Sequence, residues 1–506
     1  MRKKKLMLNT ISSLVLQITT IVCGFILPRL ILNHFGSNIN GLVNSITQFL
    51  QIISFLELGV GAVVQSSLYK PLAQKDENQI SKIISSANNF FRKLAYILVI
   101  YIIILVVVFP LIINFEYDFF YTAFLIIAIS ISFFAQYYFG VVDRLLLNSD
   151  QRGYIQYTAQ IITLVLNTII CVILINFNQS IQVVKLCSSL IFLIRPLFLR
   201  IYVNKYYHID RTIKYDEEPI KQKWNGIAQH IAAVILDGTD NIVLTIFSTL
   251  SNVSIYSIYF LVVNGVKQLF MSLINGVQSL LGELWAKQDM DELKKIFDWY
   301  EWVIHTGVVL IWGSVAILIV PFISVYTKGI ADANYIVPLF AILITIANAT
   351  HCLRLPYNTM ILAAGHYRQT QSNYIVAALL NITISVLMVN YLGLIGVAIG
   401  TIVAMTYQTI WMISYDSKNI IKWPKQKTFK QIIVDIIICL LYAVVYYFTP
   451  LVVNSYLEWI YLAVVIFFFN CLISLSINIV FYKNKIINLK NFFIKKMPTK
   501  NKREKG

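Results

Sequence analysis

The chain has 506 residues, of which 58% are hydrophobic and only 13% charged, with a formal net charge of +17 and a mean hydropathy of +0.71. Soluble domains carry about a quarter charged residues and a polar surface that this composition cannot supply. A soluble globular protein is therefore excluded, and a polytopic membrane protein is expected.

The chain opens with MRKKK and an apolar run from Leu6 to Leu32. That run is too long for the core of a signal peptide and is followed by no small-residue cleavage site, so it reads as an uncleaved first membrane helix. Taken in order, the apolar runs predict transmembrane helices over 6–33, 39–69, 88–113, 120–147, 154–177, 180–203, 223–249, 253–285, 296–326, 335–364, 371–391, 393–415, 428–450 and 457–482. The expected fold is an all-α polytopic membrane protein with 14 transmembrane helices. Its weakest boundary is the stretch Asn390-Tyr391-Leu392-Gly393 between the eleventh and twelfth.

Charge tests this order independently. Alternate connections hold 35 of the 41 Lys and Arg residues, and the opposite set holds only Lys328. Such asymmetry is the positive-inside rule, and it predicts both termini on the cytoplasmic side of a cell membrane. The positive excess then faces anionic headgroups rather than nucleic acid. The basic tail 483–506 is expected on the inner leaflet or disordered. The outer loops are short, which leaves no soluble domain to host catalysis. The cysteines (Cys23, Cys171, Cys187, Cys352, Cys439, Cys471) stand singly in apolar segments and read as inert thiols, so no metal or cofactor is expected.

A repeat runs through the chain. The segment from Ser37 matches that from Ser251, with Val64-Gln65-Ser66-Ser67-Leu68 on Val277-Gln278-Ser279-Leu280-Leu281, and LNTIICVILI from Leu166 matches LNITISVLMV from Leu380. The offset stays near 214 residues, so helices 1–6 correspond to helices 7–12. Six is even, so the halves are parallel repeats, expected around a central cavity with helices 13–14 added. The domains expected are an N-terminal six-helix bundle (1–203), a cytoplasmic linker (204–222), a C-terminal six-helix bundle (223–415), helices 13 and 14 (428–482) and the tail.

Five basic residues fall inside the helices: Arg29, Lys185, Arg195, Lys267 and Arg354. Each costs a few kcal/mol or more against lipid and must face a cavity, find a partner or snorkel. Lys267 stands on the edge of a helical stripe of Asn264, Gln268, Met271, Asn275 and Gln278. The matching helix of the first half carries Asn44, Thr47, Gln48, Gln51 and Ser54. Two polar stripes at matching places read as walls of a hydrated cavity, with Lys267 a cavity cation in preference to an interhelical ion pair. Arg29 and Arg354 join it, Arg354 beside a kink expected at Pro356. Arg195, before Pro196, and Lys185 are expected to snorkel. Helix 7 contributes His230, Asp237 and Asp240, either an ion-coupling site or partners of basic residues. Asp143 and Arg144 read as a local pair at the inner edge. A cavity richer in cations than anions suits an anionic substrate such as a phosphate.

GFILPRLILNHFGSNINGLVNS, FLELGVGAVVQSSLYKPLAQKDENQI, LDGTDNIVLTIF and LGLIGVAIGTIVA together resemble bacterial polysaccharide transporters of the multidrug/oligosaccharidyl-lipid/polysaccharide exporter superfamily. The resemblance covers essentially the whole chain. It implies a flippase of the bacterial cytoplasmic membrane that moves undecaprenyl-diphosphate-linked oligosaccharide units for capsule, O-antigen or exopolysaccharide synthesis, by alternating access. On that reading Arg29, Lys267 and Arg354 would meet the pyrophosphate, and the Asn and Gln stripes the sugars. Polymerase and chain-length proteins are implied as partners. The alternatives are a cation-coupled multidrug exporter or a peptidoglycan-precursor lipid flippase of the same superfamily. An enzyme of these pathways would need a sizeable outer loop, and no G-x-x-x-x-G-K-[ST] motif is present for ATP hydrolysis.

Overall fold

The structure is a computed structural model and describes residues 2–114, 116–215, 217–220, 227–272, 274–449 and 452–496. These residues form helices and, among them, no strand. The first crossing and the start of the second are one hydrogen-bonded helix, α1 (Arg2–Gln51), and α2 (Ser54–Gln74) completes the second. The third is α3 (Glu77–Ile112). The fourth is α4 (Phe119–Ala135), a π-helical turn (Gln136–Gly140) and α5 (Val141–Ser149). Next come α6 (Gly153–Asn176), α7 (Ile181–Tyr206) and α8 (Ile227–Phe247). The eighth crossing joins α9 (Leu250–Ser272) and α10 (Ile274–Ala286); the ninth is α11 (Met290–Tyr326); the tenth joins α12 (Pro338–Leu353) and α13 (Leu355–Ala363). Last are α14 (Tyr367–Leu392), α15 (Leu394–Asn419), α16 (Lys425–Phe448) and α17 (Tyr456–Lys496). Among the described residues twelve helical stretches are long and apolar enough to cross a membrane. The second crossing, continuous with the first, and α8 complete the fourteen expected.

Local chemistry explains the breaks. α1 bends at Gly36, whose φ of 83° and ψ of 177° only glycine adopts without strain. Asp332 fixes this bend, accepting from the Ser37 backbone N–H at 2.6 Å and the Ser37 hydroxyl at 2.7 Å. Pro356 cannot donate a backbone hydrogen bond, and the tenth crossing breaks at Arg354 as expected. The eleventh and twelfth part at Gly393, in the left-handed region at φ 54°. The N-terminal ends of α3 and α11 begin earlier than the apolar pattern indicates. Asp76 caps α3 through the Gln79 N–H at 2.9 Å, and Asp289 caps α11 through the Glu292 N–H at 3.2 Å. Those caps start each helix in the polar segment ahead of the membrane. The described part of the tail is helical, continuing α17 past a bend at Tyr482.

The repeat is also written in the backbone. Left-handed residues end successive crossings in both halves: Lys75 and Gln288, Asn114 and Gly329, Gln151 and Gly365, Asn178 and Gly393. These pairs are 213, 215, 214 and 215 residues apart, the offset read from the amino acids. A left-handed residue just past a helix end satisfies its last carbonyls and sets the exit direction of the chain.

The chain divides into two compact units. The first comprises Met1–Leu261, Gly329–Tyr335 and Gln371–Ala404; the second comprises Val262–Lys328, Ile336–Thr370 and Met405–Gly506. The core of the first packs Leu42, Ile46, Leu50, Ile84, Phe91, Leu125 and Leu146. In the second, Val309, Ile317, Val434, Ile438, Tyr442 and Ile466 join α11, α16 and α17. Asp143 and Arg144 do not form the local pair expected of them. Adjacent residues on a helix point about 100° apart. Asp143 is fully buried and accepts from Arg200 Nε at 2.7 Å and Arg211 Nη2 at 2.6 Å. Arg144 turns instead to the buried Glu57.

Candidate functional site

In the second unit, α9 brings Lys267 and the α12–α13 break brings Arg354 to one neighbourhood. Both are buried, at 5% and 6% exposure, and His351 beside them is at 8%. Arg354 Nη2 lies 3.1 Å from His351 Nδ1, and His351 is within electrostatic range of both Arg354 and Lys267. The helix break matters here. It places Arg354 at a junction where α12 ends and α13 restarts, one turn after His351. Two basic side chains and an imidazole are thus gathered inside the apolar spans of this chain, where buried polar groups of this kind mark functional sites. On the stripe beside Lys267, Asn264 and Gln278 are half-buried and Gln268 is exposed. The side chain of Asn275 lies outside the described residues.

Arg29, half-buried on α1, belongs to the first unit, as do Asn44, Gln48 and Gln51. Asn44 donates to the Asn40 carbonyl at 2.8 Å and to Ser257 Oγ at 3.3 Å. Gln48 rests against Gly238, where a Cβ would lie 2.5 Å from its amide nitrogen. Gln51 is exposed.

The first unit also holds a buried carboxylate, Asp240 on α8. Its Oδ2 accepts from Thr401 Oγ1 at 2.8 Å and from Tyr256 OH at 3.1 Å. Asn381 Nδ2 stands 3.5 Å from Oδ1 and 3.1 Å from Thr401 Oγ1. Among the described residues, the side-chain carbonyl oxygen of the fully buried Asn381 has no hydrogen-bond partner. A carboxylate, a hydroxyl and an orphaned amide oxygen form a donor set suited to a hard monovalent cation or a proton. Of the other helix 7 candidates, the side chains of His230 and Asp237 lie outside the described residues.

Sequence reasoning missed a third cluster, in the second unit. Glu301 on α11, 4% exposed, accepts from Tyr357 OH at 2.7 Å, Thr428 Oγ1 at 2.7 Å and Trp423 Nε1 at 3.0 Å. One turn on, His305 Nδ1 meets Asp435 Oδ2 at 2.6 Å, and Gln431 Nε2 donates to Asp435 Oδ1 at 2.9 Å. The spacing was present in the sequence: Glu301 and His305, and Gln431 and Asp435, are each i,i+4 pairs in apolar helices.

Comparison of the sequence with protein-family models and with curated proteins finds no match. Solved structures do match. A structure described as the lipid II flippase MurJ in an inward closed conformation aligns with a TM-score of 0.70 at 15% identity, over 95% of this chain and 100% of that one. The chain has the fold of that transporter. The eukaryotic MATE transporter AtDTX14 aligns at 0.59 and 11% identity, over 85% of this chain and 98% of that one. A MOP superfamily transporter from Pyrococcus furiosus aligns at 0.52 and 13%, over 83% of this chain and 95% of that one. At these identities the likeness shows the MurJ/MATE transporter fold, and with it a multi-pass membrane protein.

Proposed function

We propose that this protein is a flippase of a bacterial cytoplasmic membrane, moving undecaprenyl-diphosphate-linked oligosaccharide units outward for surface polysaccharide synthesis by alternating access. The observation that carries the reading is the buried grouping of Lys267, His351 and Arg354 within membrane-spanning helices of a MurJ/MATE fold. A pyrophosphate is the ligand such a grouping suits. Guanidinium and ammonium donate charge-assisted hydrogen bonds to its oxygens. Arg29 is assigned to the same headgroup. The amides of Asn44, Gln48, Gln51, Asn264, Gln268, Asn275 and Gln278 are assigned to sugar hydroxyls. Asp240, with Thr401 and Asn381, is assigned to the coupling ion, with His230 and Asp237 as further candidates. The protein would work as a transporter rather than an enzyme, alongside a polymerase and chain-length proteins.

A second reading is supported by the MurJ alignment, which covers nearly the whole chain: the cargo would be a peptidoglycan-precursor lipid. A cation-coupled multidrug exporter is the remaining reading, and the cationic grouping disfavours it. The test is transport in proteoliposomes with labelled polyprenyl-diphosphate oligosaccharide, peptidoglycan-precursor lipid and an organic cation offered separately. Lys267→Ala and Arg354→Ala should abolish movement of the phosphorylated lipid while the protein inserts and accumulates. Undiminished transport by both variants would remove these residues from the mechanism. Movement of the precursor lipid alone would establish the second reading.

A further inference from the structure

A different cation has no role in that reading. Arg195 on α7 was expected only to snorkel. The structure instead places it in the wall of a cleft of about 260 Å³, lined by Ser132, Phe133, Gln136, Gly140, Phe192 and Pro196. The cleft exists because two helices depart from regular geometry side by side. α4 passes into a π-turn at Gln136, whose carbonyl accepts from the Val141 N–H. Such single-turn widenings concentrate at functional sites. Opposite, α7 carries Pro196, which removes the N–H that would bond to the Phe192 carbonyl. The two elements meet at Gly140, where a Cβ would stand 2.9 Å from the Pro196 ring. Close contact at Gly140 and Pro196, with a widened turn just before it, leaves the space that Arg195 and Gln136 enter.

Among the described residues Arg195 has no ion pair and no side-chain hydrogen bond, and the Gln136 amide has none either. Another cation, Arg144, lies within electrostatic range of Arg195. That residue is already committed to Glu57. Arg195 is half-buried and stands five residues, about 7.5 Å of helix rise, to the apolar side of Arg200. A lone guanidinium at that depth is costly unless an anion reaches it. A headgroup phosphate drawn slightly inward from the cytoplasmic leaflet lies within reach of its long side chain.

We infer that this cleft binds the phosphodiester of an anionic glycerophospholipid from the inner leaflet, with Arg195 and Gln136 as donors. Charge selects the ligand. One unmatched guanidinium with a neutral amide balances a single negative charge, whereas a diphosphate would bring more charge than the cleft can neutralise. Size agrees: the space admits a phosphate and its glycerol but not acyl chains. Those have a surface to follow, since Leu190, Ile194, Leu197 and Phe198 on α7 are 45–48% exposed and continue an apolar face past the cleft.

The test uses the purified full-length chain in detergent, titrated with phosphatidylglycerol and, separately, phosphatidylcholine, with bound lipid counted by native mass spectrometry. One phosphatidylglycerol should bind about tenfold or more tightly than phosphatidylcholine. Arg195→Gln should weaken it by about tenfold or more, the loss expected for removing one charge-assisted hydrogen-bonding partner. Arg195→Lys, which keeps the charge should the glutamine variant fold poorly, should retain most of the binding, and Gln136→Ala should lose less than Arg195→Gln. Lys267→Ala should bind as wild type, which separates this site from the proposed transport site. Equal binding of the two lipids, or unchanged binding by Arg195→Gln, overturns the inference. So does displacement by millimolar inorganic phosphate, which would make the cleft a free-anion site. Arg195-dependent preference for a polyprenyl diphosphate overturns it too, since the cleft would then belong to the substrate.

Discussion

Two buried carboxylates in this protein are treated in opposite ways. Glu301 is closed chemically: each oxygen has at least one donor within 3.0 Å, from Tyr357, Thr428 and Trp423. Its neighbour Asp435 is likewise held on both oxygens, by His305 and Gln431. Asp240 also meets hydroxyls, but one of its contacts stretches to 3.5 Å and, among the described residues, the Asn381 amide beside it keeps an unmet carbonyl oxygen. A polar network with every member satisfied is rigid and ties elements together, whereas one with an acceptor to spare invites a cation. The first arrangement ties α16 to α11 and α13. The second is where we assign ion coupling.

That contrast can be broken experimentally, and the largest effect should come from its closed member. Glu301→Ala would leave three buried donors without an acceptor and should destabilise the protein by roughly 3–5 kcal/mol. Thermal unfolding in detergent reads this directly, and a melting temperature equal to wild type would show that the network anchors nothing. Glu301→Gln should cost less, about 1–3 kcal/mol, because its amide can still accept while its NH₂ faces other donors. Asp240→Asn should change basal stability by about 1 kcal/mol or less, since a side chain of the same shape still meets Thr401 and Tyr256. Its signature lies elsewhere. If Asp240 holds the coupling ion, added cation should raise the melting temperature of the wild type and not of the variant. The ion dependence of transport should vanish with it. Equal cation effects on both proteins would move coupling away from α8. A comparably small effect on stability is expected at the margin of the closed network. Asn478→Ala removes the acceptor of Trp302 Nε1 at 2.8 Å and should cost about 1 kcal/mol.

Much of the architecture was readable without coordinates, for an identifiable reason. Spanning a bilayer demands long apolar helices with all backbone groups satisfied internally, and that requirement is local in the chain. The crossings, their order, the kink at Pro356 and the break at Gly393 all follow from runs and single residues. What failed were the places where polar sequence continues a helix. The caps at Asp76 and Asp289 extend α3 and α11 beyond their apolar runs, and hydropathy does not register a cap.

The candidate site was readable in part. Lys267 and Arg354 stood out because isolated cations in apolar runs are costly, and the fold brings them together with His351. His351 itself drew no notice, since a neutral imidazole carries no such penalty. Apart from Asp143, the acidic residues that stand out in the sequence are those of helix 7; Glu57, Glu301 and Asp435 do not, although the i,i+4 pairs on α11 and α16 are visible there.

The sequence by itself determined that this is a membrane protein of fourteen crossings with a repeat offset near 214 residues, because those features are written in apolar runs and matching residues along the chain. Only the tertiary structure decided which charge meets which. Asp143 takes Arg200 and Arg211 rather than the adjacent Arg144, Glu301 gathers donors from residues 56 to 127 positions away, and Arg195 has no counter-ion among the described residues. Pairing across a packed bundle depends on which helix faces are brought together, and helical periodicity fixes only the face on which each residue stands.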